Sequence, residues 1–123
     1  MQVTTMNADR AMRGYALANN EGEAFWLLGM LQTIKIGRAD TSGAYGLIEV
    51  VVPPGLGSPW HVHPEEDEWF YVLEGNLTVY VGNTRLDLAG GWVCFWSKRH
   101  TAYVHWCRPH SYTYAGGFFT NAV

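Results

Sequence analysis

The chain has 123 residues, enough for one domain with its own core but not for two. Its 48% apolar and 15% aromatic content argues against a disordered polymer, and a net charge of -3 gives no basic footprint for nucleic acid or an anionic membrane. No apolar run is long enough to cross a bilayer, and the polar start Met1 to Arg10 lacks the basic-then-apolar order of a secretory signal, so the expected location is the cytoplasm.

In chain order, residues 1–24 read as an N-terminal arm, polar and carrying Gly14 and Gly22. The domain is expected over 25–123. Phe25 to Ile36 is apolar and β-branched, which predicts one long strand or a strand pair. Lys35 to Gly43 has the composition of a turn, with Gly37, Asp40, Ser42 and Gly43. Ala44 to Val52 is a second strand, stopped by Pro53-Pro54-Gly55. Two strands are expected next, one through His61 and His63, the other from Trp69 to Leu73 with Glu68 at its head. Glu74-Gly75-Asn76 gives a hairpin signal before Leu77-Thr-Val-Tyr-Val81, which alternates as a half-buried strand. Gly82-Asn83 then turns the chain into Arg85 to Leu88. Short strands at regular spacing, without helical periodicity, predict an all-β fold and a small antiparallel barrel. Cys94 and Cys107 carry no metal-type spacing, and buried or free thiols are expected rather than a disulfide.

The chemistry sits between Gly55 and Gly75. Side chains alternate along a strand, so His61 and His63 share a face. Pro64 cannot extend the hydrogen-bond ladder and turns the chain, after which Glu68 opens the next strand. Two imidazoles and one carboxylate can thus meet at one point, the ligand set of a facial metal site. Iron, manganese, nickel, cobalt, copper or zinc would suit it. A carboxylate able to leave the metal could also act as general base, which makes Glu68 the catalytic candidate. Of the neighbouring acids, Glu65 and Glu66 read as a solvated loop, and Asp67 would replace Glu68 only if the register slipped by one. Trp60, Trp69, Phe70 and Tyr71 could line a pocket, but aromatics on barrel strands are more often core, and no role is assigned to them.

The order Gly55, five residues, His61-x-His63, four residues, Glu68, six residues, Gly75 resembles the first signature motif of the cupin family. Trp26-Leu-Leu-Gly29, Thr33-Ile-Lys35, Val51-Val-Pro-Pro-Gly55 and Asp67 to Gly82 are similar to bacterial single-domain cupins of the quercetin dioxygenase-like type. The resemblance implies a double-stranded β-helix, or jelly roll, with one divalent transition metal held by His61, His63 and Glu68. It further implies a metal-dependent dioxygenase acting on a flavonol-like or other phenolic small molecule, with Glu68 taking the proton of the substrate hydroxyl. It also leaves room for a homodimer. The rival is a non-catalytic cupin that binds a small ligand as a sensor or binding module. A sugar isomerase fits less well, because nothing suggests a nucleotide-sugar site.

The second cupin motif, Gly, five residues, Pro-x-Gly-x-x-His, should supply a fourth ligand. Gly90 to His100 lacks its Pro and second Gly, and His100 falls one or two residues early. Residues 91–123 therefore read as an atypical tail, crowded with Trp, Cys and His. Codons compatible with Trp96 to Trp106, displaced by one nucleotide, can encode Gly-Pro-Arg-Gly-Ile-Pro-His-Thr-Phe-Ile-Gly, which restores cupin order. Those for His110 to Phe118 can likewise encode an apolar strand. The reading is a frameshift near Gly90, the alternative being a divergent but genuine tail; a frameshift would leave the barrel incomplete at its C-terminus, with exposed edges and an activity that could be lost.

Overall fold

The computed structural model describes residues 12–58, 61–62, 66–97, 101–105 and 113–121, with side chains for 12–58 and 67–97. Ten strands follow one another: β1 (Glu23–Leu27), β2 (Met30–Ile36), β3 (Tyr45–Val52), β4 (His61–Val62), β5 (Glu66–Glu74), β6 (Asn76–Val81), β7 (Thr84–Ala89), β8 (Val93–Trp96), β9 (Thr101–His105) and β10 (Thr113–Asn121). They form two antiparallel layers. One sheet has six strands in the order β1-β2-β3-β10-β5-β8, the other four in the order β4-β9-β6-β7. The all-β expectation holds, and the architecture is that of a small barrel.

Local chemistry explains the joints. The run from Phe25 to Ile36 is a strand pair, closed by Leu28 and Gly29 at φ 54 and 79. Two successive positive φ values are what a two-residue hairpin matching the strand twist requires. Gly29 meets its φ of 79 without strain, and a Cβ there would also push on Leu56 Cδ1 at 2.7 Å. The turn expected over Lys35 to Gly43 contains a 3-10 helix, Arg38–Thr41, whose entry is held by Gly37 N donating to Asp40 Oδ2 at 2.9 Å. Gly82-Asn83 makes the two-residue turn between β6 and β7, with Val81 paired to Thr84.

The core lies between the layers and is built from Met30, Val50, Val52, Val72, Leu77, Val79, Leu88, Cys94 and Trp96. Packing between layers decides one point against the sequence reading. Glu74-Gly75-Asn76 is not a hairpin: β5 and β6 belong to different sheets, and Gly75, at φ 97, carries the chain across from one to the other. The crossing lets both strands turn an apolar row inward, Phe70 and Val72 on β5 and Leu77 and Val79 on β6. Thr78 breaks the expected alternation of β6, because it is fully buried with its hydroxyl donating to Asp87 Oδ1 at 2.8 Å.

Two further expectations change. Glu66 is not in a loop: β5 begins there, pairing Glu66 with Asn121, so Glu68 lies inside the strand rather than at its head. Nor is the atypical tail without closing strands. β10 inserts between β3 and β5, with Thr113 opposite Val52 and Phe118 opposite both Leu47 and Trp69.

Candidate metal centre

Glu68 is placed by the pleat of β5. Its even-numbered neighbours Phe70 and Val72 pack into the core, and Glu68 follows them inward at 2% exposure. Asp67, one residue earlier, is half-buried on the opposite face. The register therefore puts Glu68, and not Asp67, on the inward row of β5. Across the sheet Glu68 is paired with Trp96, itself 4% exposed, and the Trp96 ring lies 5.5 Å from that of Phe70 at an angle of 41°. Glu68 and Trp96 thus lie directly opposite each other on neighbouring strands, both turned inward. Trp96 was not singled out in the sequence, although its alternation with Cys94 marks it as core-facing.

His61 is the first residue of β4, in the other layer. It stands opposite Ala102 of β9, which stands opposite Val81 of β6. Directly paired residues in antiparallel strands share a face, and Val81 packs against the core. The backbone register thus puts the His61 position in the core-facing row of the smaller sheet, and Glu68 in that of the larger one. His63, Pro64, Trp60 and Glu65 lie outside the described residues, as do His100 and the side chain of His61. Among the described residues no group of three His, Cys, Asp and Glu side chains is close enough to hold a metal.

The fit of a metal is therefore tested at Glu68. An ionised carboxylate taken out of water is tolerated when it is paired, hydrogen-bonded or bound to a cation. Glu68 makes a polar interaction, yet its Oε1 is shut off from solvent and accepts no hydrogen bond among the described residues. The oxygen donor is of the hard type that divalent cations accept, alone or beside imidazole nitrogen. Burial pushes the Cys94 thiol up from 9.0 to about 11, so it is protonated at neutral pH.

A cavity of about 470 Å³ lies between Tyr15, Leu17, Lys35, Asp40 and Tyr45. Its polar groups are engaged with one another. Tyr15 Oη donates to Lys35 O at 2.7 Å and to Asp40 Oδ2 at 3.2 Å, and Lys35 Nζ donates to Ala18 O and Glu21 O at 3.0 and 2.7 Å. These bonds fasten the arm to the sheet. No helix among the described residues is long and apolar enough to cross a membrane.

Comparison with known proteins adds to this geometry. A family model described as a cupin domain matches residues 48–116, more than half of the chain. Curated protein sequences give no match. Among solved structures, a predicted oxalate decarboxylase from Thermotoga maritima is similar at 13% identity and a TM-score of 0.79, covering 87% of this chain and 99% of its own. KdgF from Halomonas sp. is similar at 15% identity and a TM-score of 0.75, covering 89% of this chain and 96% of its own. A sugar phosphate isomerase of the cupin superfamily from Silicibacter pomeroyi is similar at 17% identity and a TM-score of 0.71, covering 88% and 76%. At these identities the likeness shows the fold alone.

Proposed function

The chain belongs to the cupin family, and on that premise we propose that it is a metal-binding cupin whose interior holds one divalent transition metal ion on His61, His63 and Glu68. The observation that carries this reading is the burial of Glu68, 2% exposed on an inward row of the larger sheet. Support comes from the register of β4, which puts the His61 position in the core-facing row of the smaller sheet. The donor set, two nitrogens and one oxygen, suits iron, manganese, nickel, cobalt, copper or zinc.

The finer reading is a dioxygenase of the quercetinase-like type, working in the cytoplasm on a flavonol-like or phenolic small molecule. A bound metal would supply Lewis acidity and open positions for oxygen donors. The chain's own contribution is positional. Trp96 and Phe70 form an apolar, aromatic wall beside the carboxylate, suited to a flat ring and able to exclude water from it. Glu68 would accept the proton of a phenolic hydroxyl brought to that wall, and its dry surroundings strengthen every charge interaction there. Fold alone does not choose among cupin chemistries. The similar structures bear the names of a decarboxylase and an isomerase.

Two measurements test the proposal. Elemental analysis of purified protein should find a divalent transition metal, lost when His61 and His63 are both replaced by alanine. Unchanged metal content in that variant would end the metal reading. Oxygen uptake with quercetin by folded, metal-loaded protein then tests the chemistry. Metal without uptake would leave a small-ligand-binding cupin.

A further inference from the structure

The larger sheet turns a second polar side chain inward, on a strand that takes no part in the metal reading. Gln32 of β2 is paired with the core residue Val50 and is 8% exposed. Directly paired residues share a face, so the amide faces the same interior as Glu68. Its neighbours along the inward row of β2, Met30 and Ile34, are apolar. Among the described residues the Gln32 side chain makes no hydrogen bond. A primary amide offers two donors and an acceptor. Burying all of them without partners costs free energy that the fold does not recover.

Register gives the place of Gln32 relative to Glu68. Gln32, Val50, Ala115 and Val72 stand in one row across β2, β3, β10 and β5. Glu68 stands with Phe119 and Gly46, two rows farther along. The step from Val72 to Glu68 along β5 makes about 13 Å, and the strand spacings from β2 to β5 make about 14 Å. The two polar groups are thus on the order of 20 Å apart over the sheet, and closer across its curved interior. Between them β10 places Ala115 and Gly117, small residues, on the inward face.

We propose that Gln32 is a ligand-recognition residue, whose amide receives a hydroxyl group at the end of a ring compound remote from Glu68. The proposal rests on the reading that the interior takes a small molecule at Glu68. Chemistry narrows the class. An amide is neutral and both donates and accepts, which suits a hydroxyl, whereas a carboxylate is better met by Arg or Lys. Met30, Val50 and Val72 make the surroundings apolar, which suits an apolar body. A small acid held at Glu68 does not reach Gln32, and a molecule of two or three rings does. The pair therefore selects an elongated, neutral, hydroxylated aromatic compound over small acids.

Equilibrium titration under nitrogen with two flavonols that differ in one group tests it. The probes are 3-hydroxyflavone and 3,4′-dihydroxyflavone, added to the full wild-type chain and to Gln32→Met, each with its metal content measured. The wild type should bind the dihydroxy compound roughly tenfold tighter or more, because the analogue leaves a buried amide unpaired. Gln32→Met should bind both probes equally, keep the wild-type metal content and be no less stable without ligand. If Gln32→Met does not fold, Gln32→Leu gives the same reading, and failure of both would show that the amide serves the fold and overturn the proposal. A preference that survives the substitution, or binding of neither probe, would overturn it too. Metal-loaded wild type without a preference would overturn it and leave the metal reading standing. A preference lost in Gln32→Met, in protein that holds no metal, would support the role of Gln32 and end the metal reading instead.

Discussion

Glu68 and Trp96 face each other across β5 and β8, both sealed from solvent, at 2% and 4% exposure. A carboxylate buried in the interior has lost its hydration, and the polar interaction that Glu68 makes has to offset that loss.

Replacing Glu68 with glutamine separates folding from metal binding. The amide keeps the shape and removes the charge. In metal-free protein the variant should be no less stable than the wild type, because the buried charge is gone while the amide stays a buried polar group. Its metal affinity should fall roughly tenfold or more, a change of about 1.4 kcal/mol. Urea melts with chelator present, and metal analysis without it, give the two numbers. A variant that is less stable and still holds metal would mean that Glu68 serves the fold alone.

Metal removal should destabilise the wild type. A ligand at a hundred times its dissociation constant stabilises the state it binds by about 2.7 kcal/mol. Chelation should therefore lower the melting temperature by roughly 10 °C for a domain of this size. The shift should vanish in the His61→Ala, His63→Ala double variant, and scanning calorimetry of both proteins checks it.

On the far face of the smaller sheet, Thr78 is fully buried and its hydroxyl depends on Asp87 at 2.8 Å. Asp87→Ala should cost about 1–2 kcal/mol, because the buried hydroxyl loses its acceptor. The exposed Arg85–Asp87 pair at 3.0 Å adds little to that figure. Adding Thr78→Val should recover most of the loss, since removing both partners is close to neutral. Denaturant midpoints at constant slope measure all three proteins.

What could be read from the sequence follows from what alternation and turn residues encode. Period-two patterning tells which side of a strand faces in. The preference for Glu68 over Asp67 came from the family resemblance, and the structure adds that Glu68 turns inward with Phe70 and Val72. Turn chemistry located the Gly82-Asn83 hairpin and the end of β3 at Pro53. Neither signal says which strand lies alongside. Gly75 looked like a hairpin glycine, because a positive φ serves a crossing between layers as well as a turn within one. The place of β10 between β3 and β5 pairs Thr113 with Val52, a contact set by closing the barrel and invisible to any local window. For the same reason the Trp96 partner of Glu68 was not foreseen.

The tail invites a direct test at the nucleotide level. Strands β8, β9 and β10 all fall within 91–123, so the described part of that stretch lies in the barrel despite its missing second motif. A displaced reading frame near Gly90 remains our proposal for their composition. Sequencing the gene should find codons that spell Pro-x-Gly-x-x-His one nucleotide away, and the restored product should be more soluble and bind more metal. Codons that cannot spell that motif would dispose of the idea.

Cys94 gives a prediction in the alkaline range. Burial raises its thiol from 9.0 to about 11, so the folded protein disfavours the thiolate relative to the unfolded chain. The folded-state value lies above the unfolded one. The associated stability is therefore fully present below pH 9.0 and is lost as pH rises through about 11. Tyrosines and lysines titrate in the same window, so the informative quantity is a difference. In a Cys107→Ser background, stability should fall between these limits more steeply with Cys94 than with Cys94→Ala. The native thiol should also resist alkylation near pH 8 and react once urea unfolds the chain, because only the thiolate is nucleophilic. Rapid alkylation of folded protein, or parallel pH profiles for the two variants, would show that the core around Cys94 opens to water.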